Sequence, residues 1–123
     1  MIPVQFTITT DSSGNYDSTA TGDFPSTKIP LLLYAVEWVD TNFDAGVDAV
    51  LSFTSISGEA KTLLTLTNAD AEAWYYPQAL VNDNTGTATT FYTPQVVNGA
   101  LRLVVSSGGN AKTGKCLVYL IEV

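Results

Sequence analysis

The chain has 123 residues, enough for one domain with a single core and too few for two. Hydrophobic residues make up 46% and charged residues 14%, with Thr, Ser and Asn filling the deficit, which favours an all-β protein over a helical one. The net charge is −7, and the basic residues Lys28, Lys61, Arg102, Lys112 and Lys115 stand singly, so neither nucleic acid nor an anionic membrane surface is an expected partner.

Along the chain, Phe6-Thr7-Ile8-Thr9 alternates and predicts a first strand with Phe6 and Ile8 inward. Asp11–Asn15 is a turn cluster, Tyr16–Gly22 a weaker second strand, and Phe24–Thr27 a loop. Ile29–Asp40 reads as a strand, because Pro30 opens it and Tyr34, Val36 and Trp38 alternate. The Asp40–Gly46 loop leads to strands over Val47–Thr54 and Lys61–Thr67, with a turn at Ser57–Glu59 between them. Asn68–Ala73 is a loop or a single helical turn. Trp74, Tyr75 and Tyr76 precede Pro77, Val81–Thr87 is a polar turn, and Thr89–Tyr92 is a short strand. Ala100–Ser106 and Lys115–Val123 flank a Gly- and Asn-rich stretch and predict a terminal hairpin whose Gly and Asn supply positive φ. Short strands between regular turns predict one antiparallel β-sandwich or jelly-roll-like barrel.

Little in the sequence carries chemistry. There is no His, the commonest general base and metal ligand, and the single Cys116 sits in an alternating strand as a buried thiol. No G-x-S-x-G elbow is present, and the twelve acidic residues name no catalytic pair. Neither an enzyme nor a cofactor is expected. Asp40–Asp48 spaces oxygen donors as a calcium loop does, but Ala45 and Leu51 occupy the places of the required Gly and bidentate Glu. An Asx-rich connection is therefore expected there, and also at Asn82-Asp83-Asn84. Gly108–Lys115 is not a phosphate loop, because it lacks the Gly-Lys-Ser/Thr ending and a strand follows it. Trp38, Trp74, Tyr75, Tyr76 and Tyr92 are expected to pack in or close the core. A flat sugar-binding face of Trp74, Tyr75 and Tyr92 is the competing reading. The N-terminus has neither a basic region nor a cleavage site of a secretory signal, and the apolar stretch near Leu31–Val39 is too short to span a bilayer.

Several segments resemble small proteins of tailed phages and prophages. Val4-Gln5-Phe6-Thr7-Ile8-Thr9-Thr10-Asp11 with Gly14 is similar to that family's opening, V-Q-x-F-T-I-T-T-D-x-x-G, shortened by one residue. Asp44–Asp48 resembles its D-T-G-A-D element. Trp74-Tyr75-Tyr76-Pro77 with Asp83 and Gly86 resembles W-Y-P-R…H-D-x-x-G, with Gln78 and Asn82 replacing the basic residue and the histidine. Gly108–Gly114 resembles GGN-A-K-S/T-G before the last strand. The resemblance implies a non-enzymatic virion structural protein made in the host cytoplasm. It implies above all a capsid decoration (cement) protein that bridges major capsid protein subunits as a homo-oligomer, with a trimer favoured. Neck, tail or fibre components, or a carbohydrate-binding module, are the alternatives. The expected subunit contacts are Ile2, Pro3, Val4, Phe6, Trp74, Tyr75, Tyr76, Lys112 and Lys115. Residues 1–10 are either an arm that reaches a neighbour or an ordinary edge strand.

Overall fold

The computed structural model describes residues 1–20 and 30–122. The loop expected at Phe24–Thr27, the end of the strand expected over Tyr16–Gly22, the residue Ile29 and the final Val123 lie outside them. The described residues contain strands and turns and no helix: β1 (Ile2–Thr9), β2 (Tyr16–Thr19), β3 (Leu31–Asp40), β4 (Asp48–Thr54), β5 (Ala60–Leu66), β6 (Ala73–Tyr75), β7 (Gln78–Asn82), β8 (Ala88–Pro94), β9 (Val96–Val97), β10 (Ala100–Ser106) and β11 (Thr113–Glu122). Asn68–Ala73 is therefore a loop running into β6, with Asn68 at φ 52°.

The pairing order defines the architecture. Sheet A runs β1-β11-β3-β6, with β9 also on β3; sheet B runs β2-β10-β4-β5; β7 and β8 form a separate ribbon. The chain thus behaves as one long hairpin: β1 pairs with β11, β2 with β10, β3 with β6 and β9, and β4 with β5, all antiparallel. Rolled up, this nested ribbon is a jelly roll, which bears out the all-β sandwich expectation. It also corrects one expectation. β10 and β11 do not form a hairpin, because β10 lies in sheet B and β11 in sheet A, and Ser107–Lys112 bridges the two layers.

Period-two alternation fills the space between the sheets. Sheet A contributes Phe6, Ile8, Leu31, Leu33, Val36, Trp38, Val97, Cys116, Val118 and Leu120; sheet B contributes Ala49, Leu51, Phe53, Leu63, Leu66, Leu101, Leu103 and Val105. Burial of apolar side chains between the layers is the main stabilising term, at about 2 kcal/mol for each fully buried Leu, Ile or Val. Trp38, as expected, is fully buried, and its indole N–H donates to the Ala69 carbonyl at 2.7 Å. The alternation expected in β3 breaks at Tyr34, where the register against β11 shifts. This β-bulge turns Tyr34 outward and lets both Leu33 and Val36 face the core.

Three turns share one construction. Asp11–Asn15, Ser55–Glu59 and Asp83–Thr87 each close with a backbone N–H of the first residue donating to the carbonyl of the fifth, at 2.8–2.9 Å. In each, the side chain of the first residue accepts from backbone N–H within the turn, from two groups at Asp11 and Asp83 and from one at Ser55, and the fourth residue is a Gly at φ between 81° and 89°. The pattern (Asp/Ser)-x-(Ser/Thr)-Gly-x encodes them, because only Gly takes that conformation without strain.

Candidate interaction surface

Three of the four segments that carry the phage resemblance converge on one end of the sandwich. The Thr10 hydroxyl donates to the Gly109 carbonyl at 2.5 Å and accepts from the Lys112 N–H at 2.9 Å, and Thr10 is 97% buried by its 3% exposure. The Gly108 N–H donates to the Gly14 carbonyl at 3.0 Å, and the Asp44 N–H donates to the Gly108 carbonyl at 3.0 Å. The Thr113 N–H donates to Asn42 Oδ1 at 2.7 Å. Phe43 stacks on Trp38 with ring centroids 5.4 Å apart and lies against Gly114, where a Cβ would fall 2.5 Å from the Val39 carbonyl. Positive φ in this bridge is carried by Gly109, as expected of Gly, and by Ser107 and Ala111 rather than Asn110. These motifs therefore build a junction between the two sheets.

The carboxylates of the 40–48 loop point to separate structural tasks. Asp40 accepts from the Phe43 N–H at 2.8 Å, Asp48 accepts from the Asn68 N–H at 3.1 Å, and Asp44 lies 4.0 Å from the Lys112 ammonium. Asp83 accepts from the Thr85 hydroxyl and from the backbone N–H groups of Thr85 and Thr87, and these bonds hold its carboxyl below the usual carboxylate range. Among the described residues, no cluster of three or more His, Cys, Asp or Glu side chains is arranged to hold a metal ion.

The two outer faces of the sandwich differ in character. The outer side of sheet B presents Asp17, Thr19, Val50, Ser52, Thr54, Arg102 and Val104. On it, Arg102 forks onto Asp17 at 2.6 and 2.9 Å, raising its own pKa and lowering that of Asp17. The outer side of sheet A carries an aromatic patch, with Gln5, Thr7 and Lys115 exposed on the same face. The register aligns Gln5, Leu117, Glu37 and Trp74 in one row and Pro3, Tyr119 and Ala35 in the next. Trp74 stacks on Tyr119 at 5.4 Å and 17°, and Tyr76 meets Tyr34 edge-on at 6.1 Å. The Tyr119 hydroxyl donates to Glu37 at 3.3 Å. Burial first, then the Glu37 carboxylate, pushes the Tyr119 phenol above its ordinary pKa. Trp74, Tyr76 and Tyr34 nevertheless remain 49%, 60% and 49% exposed.

The β7–β8 ribbon exposes Leu80, Phe91 and Tyr92. Its base is tied down where the Gln95 side chain donates to the Leu63 carbonyl at 3.1 Å and the Leu33 N–H donates to the Gln95 carbonyl at 2.9 Å. An open groove of about 340 Å³ lies there, between Phe53, Lys61 and Thr62 on one side and Pro94, Gln95 and Val96 on the other.

The expected contact residues fall into distinct places. Trp74 and Tyr76 stand on the outer face of sheet A, correcting the reading that they close the core, because a three-residue strand at the sheet margin leaves nothing to cover them. Tyr75 points inward and packs on the core, and Tyr92 belongs to the ribbon. The flat trio of Trp74, Tyr75 and Tyr92 is therefore not formed. Phe6 is in the core at 3% exposure and is not available to a neighbour. Ile2 and Val4 are partly buried against the core, Pro3 is exposed, and all three belong to β1, paired along its length with β11. Lys112 faces Asp44 within the junction, whereas Lys115 is exposed on sheet A between Thr7 and Val39. Sequence reasoning missed Tyr34, Glu37 and Tyr119, which complete the aromatic surface.

No family model, curated protein or solved structure matches this chain.

Proposed function

We propose that this jelly roll is a non-enzymatic structural protein of a phage particle, a cement protein that bridges shell subunits. The observation that carries the proposal is the patch of exposed aromatic side chains, Trp74, Tyr76 and Tyr34, on the outer face of sheet A, set against the outer face of sheet B, where Arg102 pairs with Asp17. A contiguous apolar surface rimmed by polar residues is the usual mark of a protein–protein contact. Trp74 and Tyr76 supply anchors of the kind that dominate such contacts. The sequence resemblance supports the phage assignment. Jelly rolls recur in viral capsids, which supports it only as fold-level analogy. In this reading sheet A lies on the shell, Trp74 and Tyr76 are buried against neighbouring subunits, and many copies on a symmetric lattice add their weak contacts into a strong one. Quantifying the chain against the major shell protein in purified particles tests the proposal. A ratio near one copy per shell subunit supports it, and a few tens of copies per particle assigns the chain to the neck or tail instead.

A second reading is favoured by the same exposed rings: jelly rolls also serve as lectins, and Trp74 with Tyr76 could stack on a sugar. Glycan binding by the isolated chain, lost in Trp74→Ala, would select that reading.

A further inference from the structure

Covering the outer face of sheet A has an electrostatic consequence. Glu37 stands across from Trp74 and is partly buried, and its carboxylate accepts from the Tyr119 hydroxyl at 3.3 Å. The ion pairs among the described residues are Arg102–Asp17 and Lys112–Asp44, so Glu37 meets no cation. Glu72, exposed two residues before Trp74, meets none either. Lys115 stands across from Val39, two residues along from the Glu37↔Leu117 pair, and is exposed and unpaired. Such a carboxylate is stable while water reaches it. A protein seated on Trp74, Tyr76 and Tyr34 removes that water, and burial of an unpaired carboxylate opposes docking unless the partner supplies a cation.

The rings narrow the choice of cation. Tyr119 covers one side of the Trp74 indole, with centroids 5.4 Å apart and planes at 17°, and the indole is still half-exposed. An open indole face attracts a positive charge. A guanidinium stacks flat on such a ring while its fork of N–H donors reaches a carboxylate, whereas an ammonium has no plane to stack. The net charge of −7 draws a basic partner in and repels a second copy of the chain.

We propose that this face takes a basic segment of another protein, with an arginine side chain lying on the open side of the Trp74 indole and its N–H groups turned to Glu37. The guanidinium replaces the water that Glu37 loses, so the ring contact and the charge contact form together. Glu72, at the margin of the patch, attracts further basic residues of the same segment. This partner chemistry rests on the docking role proposed above for the outer face of sheet A, and it adds what the docking surface recognises.

NMR titration of the isolated, isotope-labelled chain with the peptide acetyl-Gly-Arg-Gly-Arg-Gly-amide tests it without any particle. The same peptide with lysine, or with neutral citrulline, at both arginine positions is the comparison. The expected result is saturable shifts at Trp74 and Glu37, binding of the lysine peptide weaker by about threefold or more, and no saturation with citrulline. Glu37→Gln keeps an acceptor for Tyr119 and removes only the charge, and it should weaken the arginine peptide by about threefold or more. Trp74→Ala, read at the Glu37 amide, should do the same. Absence of saturation by the arginine peptide, equal binding of the lysine or citrulline peptide, or unchanged affinity in either variant overturns the proposal. Arginine-selective binding by a chain that leaves shell particles unoccupied would support this partner chemistry and remove the shell assignment alone.

Discussion

Gly14 and Gly108 meet backbone to backbone at the end of the sandwich, the Gly108 N–H donating to the Gly14 carbonyl at 3.0 Å. A Cβ on Gly14 would fall 2.9 Å from the Gly109 nitrogen, so the first turn and the β10–β11 bridge can approach this closely only without a side chain there. The chain is locked near its two ends by this contact. The motifs that resemble the phage family are in large part the residues that make it.

The crowding at Gly114 sets a sharp expectation. Its Cβ would meet the Phe43 ring and the Val39 carbonyl, and the carbonyl cannot move without disturbing the β3–β11 ladder. Gly114→Ala is expected to cost about 3 kcal/mol or more. Trimming the ring in Phe43→Ala/Gly114→Ala should recover only part of that loss. Urea denaturation of the two variants beside Phe43→Ala measures both.

Ala111 offers the opposite sign. It sits at φ 54°, where a Cβ is strained, and it is exposed. Ala111→Gly is expected to raise stability by about 0.5–1 kcal/mol, since relief of the left-handed strain exceeds the added entropy of the unfolded chain. Thermal melting reads this as a rise of a few degrees.

Cys116 is buried in β11, and burial pushes its thiol up to about 12. The reactive thiolate is therefore scarce at neutral pH. Thiol-specific reagents should label it only at the rate of unfolding, so labelling in native buffer should be slow and should accelerate sharply in denaturant.

Tyr119 should ionise later than an ordinary tyrosine, because partial burial and the neighbouring Glu37 both disfavour the phenolate. Its folded pKa lies above the unfolded value, so its contribution to stability is complete below pH 10 and is lost as pH rises through the folded value. Ultraviolet titration of the wild type against Tyr119→Phe isolates this phenol, and Glu37→Gln should move its pKa back down.

Much of the sandwich was legible from the sequence. Phe6/Ile8, Leu101/Leu103/Val105 and Cys116/Val118/Leu120 alternate because one side of each strand faces the opposing sheet. Residues at all three Gly turns stood out as turn clusters, although their common (Asp/Ser)-x-(Ser/Thr)-Gly-x pattern is plain only once the turns are compared. Strand partners were not legible. Nothing local in Ser107–Lys112 distinguishes a hairpin tip from a bridge between layers, and only the long-range pairing of β1 with β11 and β2 with β10 decides it. The bulge at Tyr34 shifted the phase of β3 in a way that alternation alone does not encode. The aromatic surface was hidden for a related reason. Trp74 lies on a three-residue strand with no readable period, and Tyr119 and Glu37 reach it from strands 82 residues apart in sequence.

The central claim is that the outer face of sheet A docks on neighbouring shell proteins, and Trp74→Ala/Tyr76→Ala tests it most directly. Both rings are about half exposed or more, so the variant should fold and melt like the wild type. The measurement is the occupancy of particles lacking the native protein when wild type or variant is added back. The account predicts saturable binding by the wild type and a loss of about tenfold or more in affinity for the variant. Equal binding by the folded variant would contradict it.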